Sequence, residues 1–493
     1  MRRTSLNRVV KTNGDYIPAA NTVVESSNSG SASSGSTGVI DAYVSDLFSM
    51  AVASDGTTYA FCYREQSGQA NVIVGTRSGE SITWGSPSIL ASANSPSHVV
   101  VYNPDQDVFV CLYSNQSTHK HFARAISYSG TTITMGDEVE LLASAWSSGG
   151  VNSSITGVYD SNSKNVVAFF QGANNALGKK MTAVVLTASG TTLTAGSENA
   201  NTTDGGQYIR GCDILNGKLL LYYRDGTQYY PNVIIAEVDG NTVTWGSPTV
   251  IASVNYGGYS SPVYNPNYTN KAILIGQITT PSAYISYASL AISGTTITAS
   301  NYSSGNINSA SSYVETAGDV AVYSDFTGQY CVTYQDYSSG GNYYNAYRFM
   351  TTTNGETLTV GSQTTRTGDG TTQFYAGVTA NDVNKYYVEN NRDSNNTTYV
   401  YYVFNPTFSH TQTSTTVNLT AENYIGIAKS SSSAANKTAI ITVDGGVDSN
   451  QSQLTAGQLY YVQTDGTIST TAGSPSVVAG IGLSATELLV TKS

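Results

Sequence analysis

Along most of the chain, short runs of alternating apolar and polar residues follow one another, each bounded by Gly, Asn, Asp or Ser. Alternation of period two, rich in Val, Ile, Thr and Tyr, predicts β-strands, and the X-Gly punctuation between runs predicts hairpins whose turns need positive φ. No stretch carries the three-to-four-residue spacing of an amphipathic helix. In the segment after Gly205 the pattern gives four strands, at about 207–215, 218–224, 231–238 and 241–251, separated by NG, RDGTQYY and DG.

The same unit recurs. SGESITWGSP from Ser78, SGTTITMGD from Ser129, SGTTLTAGS from Ser189, DGNTVTWGSP from Asp239, SGTTITAS from Ser293 and NGETLTVGS from Asn354 are six copies of one pattern, with their glycines 50 to 61 residues apart. A second landmark keeps phase with the first: VYNPDQD at Tyr102, VYDSNSKN at Tyr159, VYNPNYTN at Tyr264 and VYSDFTGQ at Tyr323. Units of four antiparallel strands at this period are the building blocks of a β-propeller. Residues 366–410 add a seventh set of strands without the glycine marker, so the chain is expected to be all-β: a seven-bladed β-propeller of four-stranded antiparallel blades over 41–415, followed by a small C-terminal β domain over 416–493. The unmarked seventh blade is where the ring should close, with a strand borrowed from the N-terminal segment. A fibrous solenoid is the rival architecture, because stacked repeats also bury a core.

Composition narrows the functional classes. Charged residues make up 11% of 493 residues, against roughly 25% in an average domain, and the net charge is −11. Clustered Lys and Arg are what phosphate neutralisation requires, so a nucleic-acid partner is not expected. The 37 Tyr far outnumber the 11 Phe and 3 Trp, giving a neutral surface of hydroxyls, amides and phenols. Neither a signal-peptide apolar core after MRRTSLNRVVK nor a membrane-spanning run is apparent, so synthesis in a cytoplasm without membrane insertion is expected. Cys62, Cys111 and Cys331 sit in apolar runs and Cys212 borders one, which reads as buried thiols rather than disulfides or metal ligands.

Residues 1–40, with the Gly/Ser-rich run 25–38, read as an arm and linker. At the other end, NLTAENYIGI (418–427), LTAGQLYYVQTDGT (454–467) and ATELLV (485–490) lie in a segment of about 75 residues that resembles a C-terminal module of phage tail fibres and other virion structural proteins. That resemblance implies a virion location, with other virion proteins as partners through the arm and the C-terminal module, and a homo-oligomeric state in the particle. It brings no catalytic residues.

Several constellations have a structural explanation beside a chemical one. TWGSP at Trp84 and Trp245 is similar to the Asp-box turns of sialidase-like propellers but lacks or misplaces the acid, and packing between blades explains both tryptophans. His119-Lys120-His121 would place two imidazoles on one side of an extended segment, and reads as a polar loop rather than a metal edge. The oxygen-rich NPDQD (103–107) and DSNSKN (160–165) read as Asx turns rather than calcium loops. No metal or other cofactor is expected. Scattered single acids offer no glycosidase pair, so no catalytic residue is assigned and the protein is expected not to be an enzyme.

Tyrosine placement points to binding. In a four-stranded meander the turn between strands two and three and the connection from strand four to the next blade open on one face. Tyr229, Tyr230, Tyr343 and Tyr344 fall in the former turns, and Trp146, Tyr256 and Tyr259 in the latter connections. Rigid amphipathic rings among Ser, Gly and Asn suit recognition, so these seven residues are the candidate site, for a host-surface glycan or a neighbouring virion protein. A polysaccharide depolymerase and a purely architectural tail or capsid protein are the alternatives.

Overall fold

The computed structural model describes residues 37–42, most of 48–365, strands within 377–404, and within the C-terminal region 426–428, 441–443 and most of 445–491. Residues 28–407 form one compact unit, and the described C-terminal residues belong to another. Among the described residues there is no helix.

The first unit contains seven antiparallel sheets among its described residues. Sheet one runs Phe48–Val52, Thr58–Arg64, Gln69–Ser78 and Ser81–Trp84. Sheets two to five repeat that order from His98, Ile155, Gln207 and Ser260. Sheet six is built on Gln329–Tyr337 and Tyr343–Thr352. Sheet seven comprises Gly377–Asn381, Tyr386–Arg392 and Thr398–Phe404, and its fourth strand is Thr37–Ala42 from the N-terminal segment, as expected for the unmarked repeat. Thr37 and Gly38, within the stretch read as linker, already belong to that strand. First strands of consecutive sheets lie side by side, and that of sheet seven lies beside that of sheet one. This is the sheet arrangement of a β-propeller.

In sheet four the strands are Gln207–Asp213, Lys218–Arg224, Pro231–Asp239 and Thr242–Trp245. The expected fourth strand, 241–251, is interrupted at Gly246-Ser247-Pro248 and resumes at Thr249–Val250 on the same partner. The interruption has a packing cause. A Cβ on Gly246 would meet the carbonyl oxygen of Thr295 in the next sheet's hairpin at 2.4 Å, and Gly85 and Gly136 face Thr131 and Thr191 at 2.3 and 2.0 Å. The second glycine of the repeated pattern, a marker distinct from the hairpin glycine, therefore lets the outer strands of sheets one, two and four touch the hairpin of the next sheet. The hairpin glycine serves differently: Gly130 holds φ of 59° with open space around it, and Thr131 is not left-handed, which is a type II′ turn.

Apolar clusters lie between sheets. Val110 and Leu112 of sheet two pack with Ala168 and Phe170 of sheet three, and Leu220 and Tyr222 of sheet four with Leu274 and Leu290 of sheet five. Trp245 meets Phe169 of sheet three edge-on at 5.9 Å and donates its indole N–H to the Asn199 carbonyl at 3.2 Å. Trp84 packs with Phe61 and with Ile40 of the added strand. Both tryptophans thus fill inter-sheet space, as their context predicts.

The second unit has a two-stranded sheet, Gly426–Ala428 with Ile441–Val443, and a five-stranded one. The latter places Leu459–Val462 beside Val478–Gly482, and that strand beside Leu488–Val490. Leu454, Tyr460, Val477 and Leu488 form its core.

The two glycine classes separate by mutation. Gly130→Ala should cost about 1–2 kcal/mol, the price of a left-handed non-glycine residue. Gly136→Ala should cost about 3 kcal/mol or more, because a backbone carbonyl must move. Chemical denaturation of the full chain gives both values, and the reverse order would refute the inter-sheet role of the marker.

Candidate functional site

The turns between first and second strands are occupied by their own architecture. Asn103 Oδ1 accepts the backbone N–H groups of Asp105 and Gln106 at 3.1 and 3.3 Å, and Asp160 accepts those of Asn162 and Ser163 at 3.1 and 3.0 Å. These are the Asx turns read from NPDQD and DSNSKN. Their remaining polar atoms bind the adjacent sheet. Tyr159 donates to Asp105, Lys164 pairs with the same carboxylate at 2.7 Å, and Asn267 donates to Tyr323 at 2.8 Å. The Lys164 and Tyr159 hydrogen bonds hold the Asp105 carboxyl below its usual range. The second sequence landmark is therefore an inter-sheet clasp built on Asx turns.

Among the described residues no group of three or more His, Cys, Asp or Glu is placed to hold a metal. The reading of 119–121 as a polar loop needs correction at its last position. His119 does sit in a turn at φ 55°, but His121 is a strand residue, fully buried, with Nδ1 2.9 Å from Ser114 Oγ and its ring 4.6 Å from that of Phe170 in sheet three. Alternation places every second residue of that strand against the neighbouring sheet, and His121 falls on the packed side. Cys62 and Cys111 are buried free thiols, their sulfurs 3.5 Å apart across sheets one and two.

Of the seven aromatic candidates, three are among the described residues. Trp146, Tyr229, Tyr256 and Tyr259 lie outside the described residues. Tyr230 closes the turn after Arg224: its N–H donates to Asp225 Oδ2 at 3.2 Å and its carbonyl accepts from Asp225 N at 3.1 Å. Tyr343 and Tyr344 are strand residues rather than loop residues, paired with Tyr337 and Asp336. Aromatic residues favour the extended backbone, so pairing runs past the expected turn boundary.

Sequence reasoning missed a patch at this end of sheet four. The pairing of the first two strands jumps from Gln207 opposite Arg224 to Arg210 opposite Tyr222, and within this bulge Tyr208 holds φ of 55°. A left-handed aromatic residue is an outlier, and bulges re-aim side chains. The Arg224 guanidinium lies 4.5 Å from the Tyr208 ring centroid. It donates to Gln207 Oε1 through Nε at 3.2 Å and Nη2 at 2.7 Å, which fixes its plane. Arg210 donates to the Ile209 carbonyl at 2.8 Å. Gln207, Tyr208, Arg210 and Arg224 are all half-buried. Behind them Tyr222 is fully buried, which pushes its phenol up to about 12 against the opposing charges of Arg224 and Arg210. The available signal was two of only 11 arginines at the ends QYIRG and LYYRDG. Nothing in either string announces the bulge that brings them together.

No protein-family model matches the sequence, and no curated protein is detectably similar to it. Solved structures do match in fold. The BP39L lectin from Burkholderia pseudomallei aligns at a TM-score of 0.51 with 8% identity, over 74% of this chain and 99% of the lectin. A putative 6-phosphogluconolactonase from Bacteroides uniformis aligns at 0.46 with 10% identity, over 64% and 84%. The six-bladed β-propeller lectin of Aleuria aurantia aligns at 0.38 with 15% identity, over 66% and 97%. At these identities the likeness to the Burkholderia lectin speaks for the fold alone.

Burial lowers the pKa of His121 from 6.5 to about 3. Below pH 6.5 the unfolded chain takes up a proton here that the folded one refuses, so stability is present above that pH and falls as the pH drops toward 3. The slope is up to about 1.4 kcal/mol per pH unit. His121→Gln should flatten the acid limb of a stability-versus-pH curve between pH 6.5 and 4, and an unchanged limb would contradict the assignment.

Proposed function

We propose that this chain is a non-enzymatic binding protein of a phage virion appendage, such as a tail fibre or spike. Its seven sheets are the blades of one closed propeller, and its Tyr-bearing loop face docks a host-surface glycan. The observation that carries this reading lies on sheet four, where the Arg224 guanidinium sits over the Tyr208 ring and is held by the Gln207 amide oxygen, all three residues half-buried. Aromatic planes accept the apolar faces of sugars, and forked donors accept their oxygens. On the opposite face, the described acids and phenols Asp105, Tyr159 and Tyr323 are engaged in clasps between neighbouring sheets. The fold shared with a bacterial lectin supports the same assignment.

In this reading the residues before Thr37 attach the protein to the particle, the sheets from Thr37 to Phe404 form the propeller, and 416–493 are the assembly module that resembles those of phage fibres. The protein acts as a homo-oligomer in the virion, reached from the host cytoplasm. A neighbouring virion protein is the alternative occupant of the loop face.

A glycan array probed with purified protein tests the binding assignment. Retention of surface polysaccharides without release of reducing ends is the expected result. Released reducing ends would convert the reading to that of a depolymerase, and tight binding to a virion protein through the loop face, with no glycan retained, would make it architectural.

A further inference from the structure

The five-stranded sheet of the second unit is apolar on both sides. Its inner side is the core of Leu454, Tyr460, Val477 and Leu488. On the other side the register sets four residues in one row across four strands: Val447 opposite Leu489, Leu489 opposite Ile481, and Ile481 opposite Leu459. Directly opposed residues share a face of a sheet, so this row looks away from the core. Val447 is 43% exposed, Ile481 37% and Leu483, two residues on, 46%, while Leu459 and Leu489 are half-buried. Tyr461, opposite Val478, continues the same side by alternation. An antiparallel sheet with one face in water ordinarily alternates apolar with polar residues. The propeller unit follows that rule: the outer strands of sheets two and three expose Thr132, Thr134, Thr192 and Thr194, and Ile89, Leu215 and Val250 are exposed singly.

The ends of the sheet and its charge say what covers the row. The two end strands, Val447–Asp448 and Ile468–Ser469, are two residues long, too short a template for an added strand, so the cover stacks on the face. Among the described residues that side carries one charge, Glu487, placed there by alternation with Leu489 and accepting the Ser484 hydroxyl at 3.2 Å. The row therefore suits an uncharged, apolar partner. In a chain of net charge −11, a neutral face is where two copies meet without repulsion. Glu487 stands at the Leu483 end of the strands, so a two-fold axis along the row lays it over the neutral Val478–Tyr461 end of the other copy, and like charges stay apart. We propose that this row docks the same row of a second copy of the chain, the two sheets stacking face to face about that axis. The proposal rests on the homo-oligomeric assignment above and names its surface. Strand spacing and rise give the sheet a footprint of roughly 340 Å² per copy. A standard interface covers about 800 Å² per partner, so this contact is a reversible one that concentration sets.

Sedimentation of the full chain over a concentration series tests the proposal, and the wild type should pass from monomer to dimer as concentration rises. Ile481 lies near the middle of the row, where a charge buried in both copies is costly. Ile481→Lys and Ile481→Glu should each weaken association about ten-fold or more. At a dilution where every form is monomeric, their spectra and melting temperatures should match the wild type, because the side chain points away from the core. An equimolar mixture of the two variants should regain association and lose it again in about 0.5 M salt, since the two-fold contact brings position 481 of the two copies together. A wild-type chain that stays monomeric throughout would overturn the proposal together with the homo-oligomeric reading and leave the face to a different occupant. A dimer that survives both substitutions would overturn the face alone, with the homo-oligomer standing on another contact. Association lost in both variants and not regained on mixing would overturn the two-fold arrangement.

Discussion

Among the described residues the first strand of each sheet in the propeller unit is the end strand of its ladder, and the arrangement depends on how its inner edge is satisfied. An open edge is a liability in any β protein. Here the neighbouring sheet supplies side-chain acceptors. Ser49 Oγ accepts the Val100 N–H at 3.2 Å, Ser97 that of Ile155 at 3.2 Å, and Ser261 that of Val320 at 3.0 Å. Each bond joins the first strand of one sheet, or the residue just before it, to the first strand of the next or the residue just before that. Farther out, apolar faces close on one another, and at the rim the marker glycine meets the next hairpin. At these junctions a sheet that moved would expose a donor, an apolar face or a tight backbone contact.

That dependence explains which parts of the fold were legible. The SGTT and VYNP landmarks are the residues that touch the adjacent sheet, as hairpin, clasp or glycine contact, so they recur at the period of the architecture. Strand order and the added Thr37–Ala42 strand follow from the same regularity. The sequence could not show where pairing stops. Gly246-Ser247-Pro248 interrupts a strand that alternation alone would continue, and Tyr343 and Tyr344 extend one that turn composition would end. Both outcomes are decided by a neighbour outside the local window.

Low charge has the same origin. Phenols, amides and hydroxyls can be both donor and acceptor, and inter-sheet contacts such as Tyr323 with Asn267 use them without desolvating a full charge. Where a full charge is used, as in Asp105 with Lys164 and Tyr159, it sits in one clasp and is matched there. A tyrosine-rich composition is accordingly a structural property first, and tyrosine abundance alone is a poor guide to a binding surface.

Departure from the repeat is the better guide. Sheet four follows the common strand order, hairpin and marker, yet at Gln207–Arg210 its first strand bulges, puts an aromatic residue in a left-handed conformation and sets a guanidinium over it. No inter-sheet bond of the kind made by Ser49, Ser97 or Ser261 needs that geometry, and relaxing it to the pattern of the other sheets would remove the strain. Repetition supplies the rigid frame on which one irregular strand end can be held. A composition scan dilutes three residues among 493, and only the broken register shows that Gln207, Tyr208 and Arg224 meet.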